Sequence, residues 1–326
     1  MRRSARKREG MALLTVLLMV AVMAAVAVLI LDDIRFSVRR TTNVESQAQA
    51  QWYAAGAENL ARRQIAELGK ADPARTPLQP RWNGRVIDFP LDGEGSIRAT
   101  VRDGQACFNL NSLVTGQDED LVANPEGLAQ FVALGAALGL PRGRMASVGA
   151  ALTDWMDGDA EGAAEDARYA SRLTPYRTGG VMLAEVSEMR AVAGVDAALY
   201  GRLRPYLCAL PRAGVSPVNV NTLTPDQAPL LVMLSGGALG LNAAKAAIAA
   251  RPAAGWPTLD AFWGQPALRA ATPDEATRNQ ATLLTRFYDL RVDVDYGGAR
   301  AVRTALIHAA PDGRVRTVIR RWTPEE

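Results

Sequence analysis

The feature that most restricts the possible folds of this chain is an uncharged, apolar run of 21 residues at positions 11–31. An α-helix rises about 1.5 Å per residue, so a helix of this length spans about 30 Å, the thickness of the hydrocarbon core of a bilayer. The only hydroxyl group in the run belongs to Thr15. We therefore predict one transmembrane segment at residues 11–31.

The charges on either side of this run predict its orientation. Residues 1–10 carry five Lys or Arg side chains and one Glu, a local charge of +4, whereas Asp32 and Asp33 follow the run directly. Because positive charge stays on the cytoplasmic side, we expect a cytoplasmic N-terminus, with the remaining residues on the other side of the membrane. The whole chain carries +3, which leaves −1 for residues 11–326. A general nucleic-acid binder, which needs clustered Lys and Arg, is therefore disfavoured.

The segment after the apolar run helps to distinguish three interpretations of it. A cleaved signal peptide has an apolar core of about 7–15 residues and a small-residue cleavage site, which do not fit this run, whereas a simple signal anchor stays open. Apolar and small residues continue at helical spacing to about residue 68 without a proline. A basic leader ending in Gly10, an apolar run and a long amphipathic extension resemble the N-terminus of type IV prepilins. Cleavage would then fall between Gly10 and Met11.

The remainder of the chain alternates between strand-like and helical regions. Alternating residues predict strands at 85–89 and 96–101, and three more strands with hairpin turns between them after residue 285. Two early strands alone would form a marginal hairpin, so we expect one sheet interrupted by a helical region. The predicted fold is α+β: a type IV pilin-like fold, with a long N-terminal helix on an antiparallel sheet, and a large α-helical domain inserted between strands. The predicted boundaries are residues 1–10 for the leader, 11–31 and 32–70 for the transmembrane and periplasmic parts of the helix, 81–108 and 285–326 for the β domain, and 109–284 for the insert.

A short phrase occurs twice in the predicted insert, as FNLNSL at residues 108–113 and VNVNTL at residues 218–223. Asn alternates with apolar residues in both, so Asn111 or Thr222 could cap a helix. The second copy resembles the start of helix-hairpin-helix DNA-binding modules. Its nearby cations are only Lys245 and Arg251, and we therefore favour capping and packing over contact with DNA.

An acidic loop is the segment whose side chains most clearly indicate a metal-binding or catalytic site. It has six carboxylates between positions 154 and 166, and such hard oxygen ligands suit Ca²⁺. A solvated loop and a carboxylate pair for glycoside hydrolysis are the alternatives, although only Trp155 and Tyr169 are near enough to stack on a sugar. An EF-hand is excluded, because its twelfth position would be Arg168. The predicted ligands are Asp154, Asp157, Asp159, Glu161, Glu165 and Asp166.

The scarce Cys and His residues carry two further predictions. One His and two Cys are too few for a zinc site. Cys107 and Cys208 lie on the predicted non-cytoplasmic side, where oxidation is permitted, so we favour a disulfide over two buried thiols. His308 lies in an apolar strand without a Ser or Cys partner motif nearby, which predicts a packed or edge histidine and no catalytic triad.

Together these segments resemble the type II secretion system minor pseudopilin K family (general secretion pathway protein K) over nearly the whole chain. The resemblance is carried by the leader and apolar run and by residues 51–58, 107–113, 154–166 and 218–223. It implies cleavage and N-methylation by the prepilin peptidase, an inner-membrane helix and a periplasmic head that binds calcium. It also implies a place at the pseudopilus tip with the minor pseudopilins I and J, and no enzymatic activity, nucleic-acid partner or small-molecule substrate.

Thr15 marks a departure from ordinary pilins that supports this resemblance. Pilins carry Glu at the fifth residue after cleavage, where it is thought to neutralise the N-terminal amine of a neighbouring subunit; here that residue is Thr15. A buried amine without a partner is costly, so Thr15 suits a subunit at the tip that caps or initiates the filament. A DNA-handling pseudopilin and a signal-anchored periplasmic hydrolase remain the alternative functions.

Overall fold

The computed structural model describes the backbone of residues 3–10 and the whole of residues 11–91, 95–117, 120–157, 167, 169–171, 173–268 and 275–323. Its first element is a helix of 69 residues, α1 (Arg3–Ala71), about 100 Å long at the usual rise. The helix ends before Pro73 because the residue that precedes a proline is excluded from the helical region. The Asp72 carboxylate then accepts a hydrogen bond from the Ala74 amide at 2.9 Å.

Within the described part of the chain, no other segment packs against the apolar residues in the N-terminal half of α1. One helix in the described chain is long and apolar enough to cross a membrane, and the most apolar window of that helix is entirely exposed in the structure. Side chains such as Met19 and Leu29 are 71% and 69% exposed. Because burying apolar surface is favourable, this half of the helix needs an apolar environment outside the chain.

The C-terminal half of α1 packs on an antiparallel sheet of five strands. In their order across the sheet, the strands are β1 (Val86–Leu91), β2 (Gly95–Asp103), β9 (Phe287–Tyr296), β10 (Ala299–Ala309) and β11 (Val315–Arg321). The predicted meander at the end of the chain is confirmed by the antiparallel pairing of β9 with β10 and of β10 with β11. Glycines with positive φ, Gly297 and Gly313, lie in the two turns of this meander, where residues with a Cβ are disfavoured.

One face of the sheet receives the helix. Ala50, Ala54 and Ile65 of α1 are buried against residues of β9 and β10 that alternate along each strand. Period-two alternation places these strand residues on one face, and the small Ala side chains let the helix approach closely. The α+β, pilin-like fold class predicted from the sequence is confirmed.

The insert occupies the chain between β2 and β9 and has a separate hydrophobic core. The predicted boundary placed Phe108 in the β domain. In the structure β2 ends at Asp103, and Phe108 packs in the core of the insert, 5.4 Å from Phe131 between ring centroids. The insert also has short strands that the sequence did not predict. They are the hairpin of β4 (Val114–Gln117) and β5 (Asp120–Ala123) and two parallel pairs, β3 (Phe108–Asn109) with β6 (Leu207–Cys208) and β7 (Val218–Asn219) with β8 (Ala281–Thr282).

The helices of the insert are short and amphipathic or buried. The longest are α2 (Pro125–Ala137) and α3 (Arg142–Met156). Further helices and single turns follow at Val186–Ala191, Ala197–Leu203, Arg204–Tyr206, Pro225–Gln227, Ala228–Leu234, Leu241–Ala249, Leu259–Trp263, Pro266–Leu268 and Glu275–Gln280.

The insert leaves the sheet at the end remote from the apolar half of α1. Tyr53 of α1 lies 5.3 Å from Tyr296, between ring centroids, at one end of the sheet. Arg62, nine residues further along α1, donates to the Val315 carbonyl at 3.0 Å near the other end. Asp103, where β2 passes into the insert, is opposite Tyr288 and therefore at this second end, which we call the far end of the sheet.

Candidate assembly surfaces and the acidic loop

The residues predicted for processing lie within one uninterrupted helix. Gly10 and Met11 are both part of α1, and Met11 is 68% exposed. The Thr15 hydroxyl donates to the Ala12 carbonyl of the same helix at 2.8 Å. Thr15 therefore satisfies its hydroxyl locally and carries no charge with which to neutralise an amine of another subunit.

A buried charge cluster joins α1 to the sheet. Glu58 is 2% exposed and accepts hydrogen bonds from Arg303 at 2.6 Å, Arg320 at 2.7 Å and Thr317 at 2.6 Å. Burial alone would raise the pKa of Glu58, but the hydrogen bonds from these three side chains outweigh burial and lower the pKa to about 2. Arg303 is itself buried and its guanidinium lies 4.3 Å from the centre of the Trp322 ring. The cluster fixes both the rotation and the axial position of α1 on β10 and β11.

The Cys107–Cys208 disulfide is present and joins the start of the insert to its middle. The Cα atoms are 5.8 Å apart and the cysteines are 101 residues apart in sequence. Cys107 directly precedes β3 (Phe108–Asn109) and Cys208 ends β6 (Leu207–Cys208), and these two strands pair in parallel. The prediction of a disulfide is confirmed.

The two Asn phrases occupy equivalent positions in the insert. Asn109 starts a short turn by accepting from the Asn111 amide at 3.2 Å, and Asn219 accepts from the Asn221 amide at 2.9 Å. The second Asn of each phrase then pairs with a distant backbone, because Asn111 exchanges two hydrogen bonds with Leu183 and Asn221 exchanges two with Trp256. The same local hydrogen-bond motif therefore occurs twice in the insert.

Our assignment of the caps within these phrases was wrong in detail. Asn109 caps the turn Leu110–Leu113, and Thr224 caps Pro225–Gln227, whereas Asn111 and Thr222 make long-range contacts instead. The reason is that tertiary partners compete for the same amide and hydroxyl groups. Residues 218–223 are buried, and they cannot present hydrogen-bonding groups to a DNA duplex.

A buried carboxylate joins the sheet to the second Asn phrase of the insert. Asp103 at the end of β2 accepts from the Thr222 hydroxyl at 2.6 Å, from the Thr285 hydroxyl at 2.8 Å and from the Gln105 amide at 2.8 Å. Burial raises the pKa of Asp103 to about 6, against the opposite effect of these hydrogen bonds. The junction between the two parts of the head therefore contains a group that titrates near neutral pH.

The acidic loop begins at the C-terminal end of α3. Asp154 lies in the last turn of this helix and Asp157 caps it, donating its backbone N–H to the Thr153 carbonyl at 2.9 Å. Asp159, Glu161, Glu165 and Asp166 lie outside the described residues. Within the part of the chain that is described, no group of three or more His, Cys, Asp or Glu side chains is placed to hold a metal.

The two described carboxylates of this loop fit a hard cation by their chemistry. A helix C-terminus carries partial negative charge, so two carboxylates there are unfavourable unless positive charge is close to them. The loop base is rigid, because Trp155 accepts from the Gly179 and Gly180 amides at 3.1 and 3.0 Å and packs edge-on against Tyr169. A rigid base with oxygen ligands is a suitable anchor for Ca²⁺.

Sequence reasoning did not identify Glu58 or Asp103. A signal for Glu58 exists, since it interrupts the stripe of Ala50, Ala54 and Ile65 that faces the sheet, and a carboxylate in a buried stripe predicts a cationic partner. The sequence around Asp103 contains no such pattern. The prediction that His308 is packed is confirmed, since it is half-buried in β10 and stacks on Phe287 at 4.7 Å between ring centroids.

Comparison with known proteins agrees with this architecture. Two family models, both described as type II secretion system (T2SS), protein K, match residues 106–212 and 218–283, and each match has one of the Asn phrases near its start. Curated relatives named type II secretion system protein K include those of Klebsiella pneumoniae, 36% identical over 98% of this chain and 99% of the relative, and Pectobacterium carotovorum, 34% identical over 97% of each.

A solved structure extends the likeness to three dimensions. A chain of the crystal structure of the GspK-GspI-GspJ complex from the enterotoxigenic Escherichia coli type 2 secretion system superposes with a TM-score of 0.74 and 31% identity. The match covers 87% of this chain and 99% of the solved one. The chain therefore belongs to the type II secretion system protein K family and is a minor pseudopilin of that system.

Proposed function

We propose that this protein is the tip subunit of the periplasmic pseudopilus, which it initiates and caps for protein export across the outer membrane. The observation that carries the proposal is the position of the insert, which leaves the sheet at the far end, away from the apolar half of α1. In a filament built from parallel N-terminal helices, the next subunit would lie above this end. The insert obstructs that place, so no subunit stacks on this one.

The second part of the proposed function, anchoring in the membrane and packing in the filament, depends on the N-terminal helix. Its exposed apolar residues hold the precursor in the inner membrane, with the leader in the cytoplasm and the head in the periplasm. The prepilin peptidase cleaves after Gly10 and methylates Met11, and the same apolar surface then packs against neighbouring helices. The uncharged Thr15 provides no carboxylate for an amine in a layer of subunits above.

The partners we propose are the minor pseudopilins I and J of the same system. The solved relative is described as part of a GspK-GspI-GspJ complex, and this chain shares its fold over nearly the whole of that chain. The role is architectural and needs no catalytic group. Ca²⁺, held by Asp154 and Asp157 together with carboxylates from residues 158–166, would neutralise the acidic loop and order the face of the insert that contains it.

Photo-crosslinking tests the position at the tip. A crosslinking amino acid is placed at position 241 on the insert, where Leu241 is 36% exposed, or at position 52 on α1, where Trp52 is 74% exposed. We expect position 52 to crosslink to I or J and position 241 to give no crosslink to the major pseudopilin. Crosslinks between position 241 and the major pseudopilin would place a subunit above the insert and refute the proposal.

Processing is tested separately by mass spectrometry of the mature N-terminus. We expect N-methylated Met11 in the wild-type chain and the full leader in a Gly10→Leu variant. Ser4→Val in the same leader is the matched control and should be processed normally. A Gly10→Leu protein of normal mature mass would contradict the prepilin assignment and favour a simple signal anchor.

A further inference from the structure

The positive charges of three arginines act on His308, which lies at the far end of the sheet. Arg316 on β11 is directly opposite His308 in the strand register. Arg286, just before β9, accepts a hydrogen bond at its carbonyl from the amide of Ala309, the residue after His308, at 2.8 Å. Arg212 comes from the insert. These three side chains and His308 are referred to below as the basic cluster.

Arg212 is brought to this place by a small apolar contact between the insert and the sheet. Leu210, two residues before Arg212, packs with Phe287 and Leu306 in one buried cluster. His308 stacks on Phe287 at an interplanar angle of 25°. The basic cluster therefore lies next to a cluster of buried apolar side chains, and it contains groups from both the sheet and the insert.

The three guanidinium groups have no acidic partner within the described residues. The neighbouring arginines do have such partners, because Arg303 and Arg320 bind Glu58 and Arg321 binds Glu185. The nearest acidic group in the hairpin, Asp312, pairs with Arg314 at 2.6 Å.

The pKa values of two side chains in the basic cluster are lowered. Burial lowers the pKa of His308, the positive charges of Arg316, Arg286 and Arg212 lower it further, and Asp312 opposes them. Arg212 is half-buried, and burial lowers its pKa as well. Like charges held together without a counter-charge create a local positive potential, which an anion relieves.

We propose that the basic cluster is a docking site for an acidic segment of a partner protein. The guanidinium fork matches the two oxygens of a carboxylate, and several guanidinium groups together favour a segment with more than one carboxylate. Lipid of the membrane that holds α1 is a poor alternative. The basic cluster lies level with Arg62, roughly 45 Å along the helix from the end of the apolar run, at the usual rise per residue.

The choice of a protein as the source of the carboxylates rests on the proposed function, in which the far end of the sheet faces exported proteins and other components of the envelope. The anion site itself does not depend on that function. If the chain forms no complex with I and J, the tip assignment is refuted and the anion site is unaffected. If the titration described below shows no binding, the anion site is refuted and the tip assignment is unaffected.

His308 is the only histidine in the chain, so it reports directly on the site. The full chain is prepared in detergent micelles with ¹³C-labelled histidine, which gives one imidazole signal, and is titrated with octaglutamate. We expect a saturable shift of this signal and a rise of about 1 pH unit in the midpoint of His308 titration, because a bound carboxylate favours the imidazolium.

Two charge-matched variants make the result specific. Arg286→Gln should weaken octaglutamate binding by about tenfold, the usual effect of losing one hydrogen bond between charged groups. Arg98→Gln removes the same charge from an exposed ion pair with Asp88 elsewhere on the sheet and should change affinity by less than about twofold.

Other outcomes overturn the proposal. An unchanged His308 signal, or equal weakening by both variants, shows that octaglutamate senses only net charge. Inorganic phosphate that shifts the signal where octaglutamate does not would assign the site to a small oxyanion instead of an acidic segment. The dispersion of the amide signals, recorded in the same samples, confirms that each variant is folded.

Discussion

Replacing Glu58 by Gln should remove the charge that holds α1 on the sheet. Glu58 is 2% exposed, and its pKa falls from an ordinary 4.5 to about 2 in the folded chain. A change of this size corresponds to about 3 kcal/mol of folding free energy at neutral pH. Breaking a buried ion pair costs about 3–5 kcal/mol in other proteins, because the remaining charge stays buried, and both estimates therefore agree.

The measurement is urea unfolding of the full chain in micelles, followed by tryptophan fluorescence. The control is Glu67→Gln on the same helix, where Glu67 binds Lys70 at 2.8 Å and its side chain is 67% exposed. Exposed pairs of this kind contribute at most about 1 kcal/mol, so the control should unfold nearly as the wild type does.

The pH dependence gives an independent check on Glu58. Because its folded pKa is lowered, its stabilising effect is complete above pH 4.5 and is lost as the pH falls towards about 2. The Gln variant should lack this part of the acid destabilisation. A loss below about 1 kcal/mol at neutral pH, with the same acid profile as the wild type, would refute the reasoning.

Three further predictions concern the head. Ca²⁺ should raise the melting temperature of the wild type and a chelator should lower it, whereas Asp157→Asn should respond weakly to both, because one of the proposed ligands is lost. Replacing both Cys107 and Cys208 by Ser opens a link between residues 101 apart in sequence, which the chain-entropy model values at about 4–5 kcal/mol, and the urea midpoint should fall accordingly. Burial raises the pKa of Asp103 to about 6, so the wild type should lose stability as the pH rises from about 4 to about 6. Asp103→Asn should flatten that part of the curve in urea titrations at successive pH values.

Each of these predictions has a matched control. Asp120→Asn changes an exposed carboxylate of β5 and should keep the full calcium response; a chelator without effect on the wild type would contradict the calcium proposal. Reduction of the wild type should reproduce the double Ser variant, and equal midpoints with and without the disulfide would contradict its stabilising role. A wild-type curve that is flat from pH 4 to 6 would show that the hydrogen bonds to Asp103 offset its burial.

Much of the architecture follows from local pattern. The helix over residues 11–70, the strands of the C-terminal meander and the interruption of the sheet were visible because each depends on periodicity, on turn glycines and on prolines close in sequence. Local pattern failed where distant groups compete. The Asn phrases were recognisable as a repeat, but their amides bind Leu183 and Trp256, which are 72 and 35 residues away, and so the predicted caps were misplaced.

The sequence by itself determined the long apolar N-terminal helix, the fold class and the family, because apolar length, alternation and motif order are properties of neighbouring residues. It favoured the Cys107–Cys208 disulfide, which the structure contains. Only the tertiary structure decided that Glu58 meets Arg303 and Arg320, that Asp103 lies at the junction, and that Arg212 joins Arg286, Arg316 and His308. These groups come from segments as much as 262 residues apart in sequence. Their charges interact only because folding places them within a few ångströms in a medium of low dielectric constant.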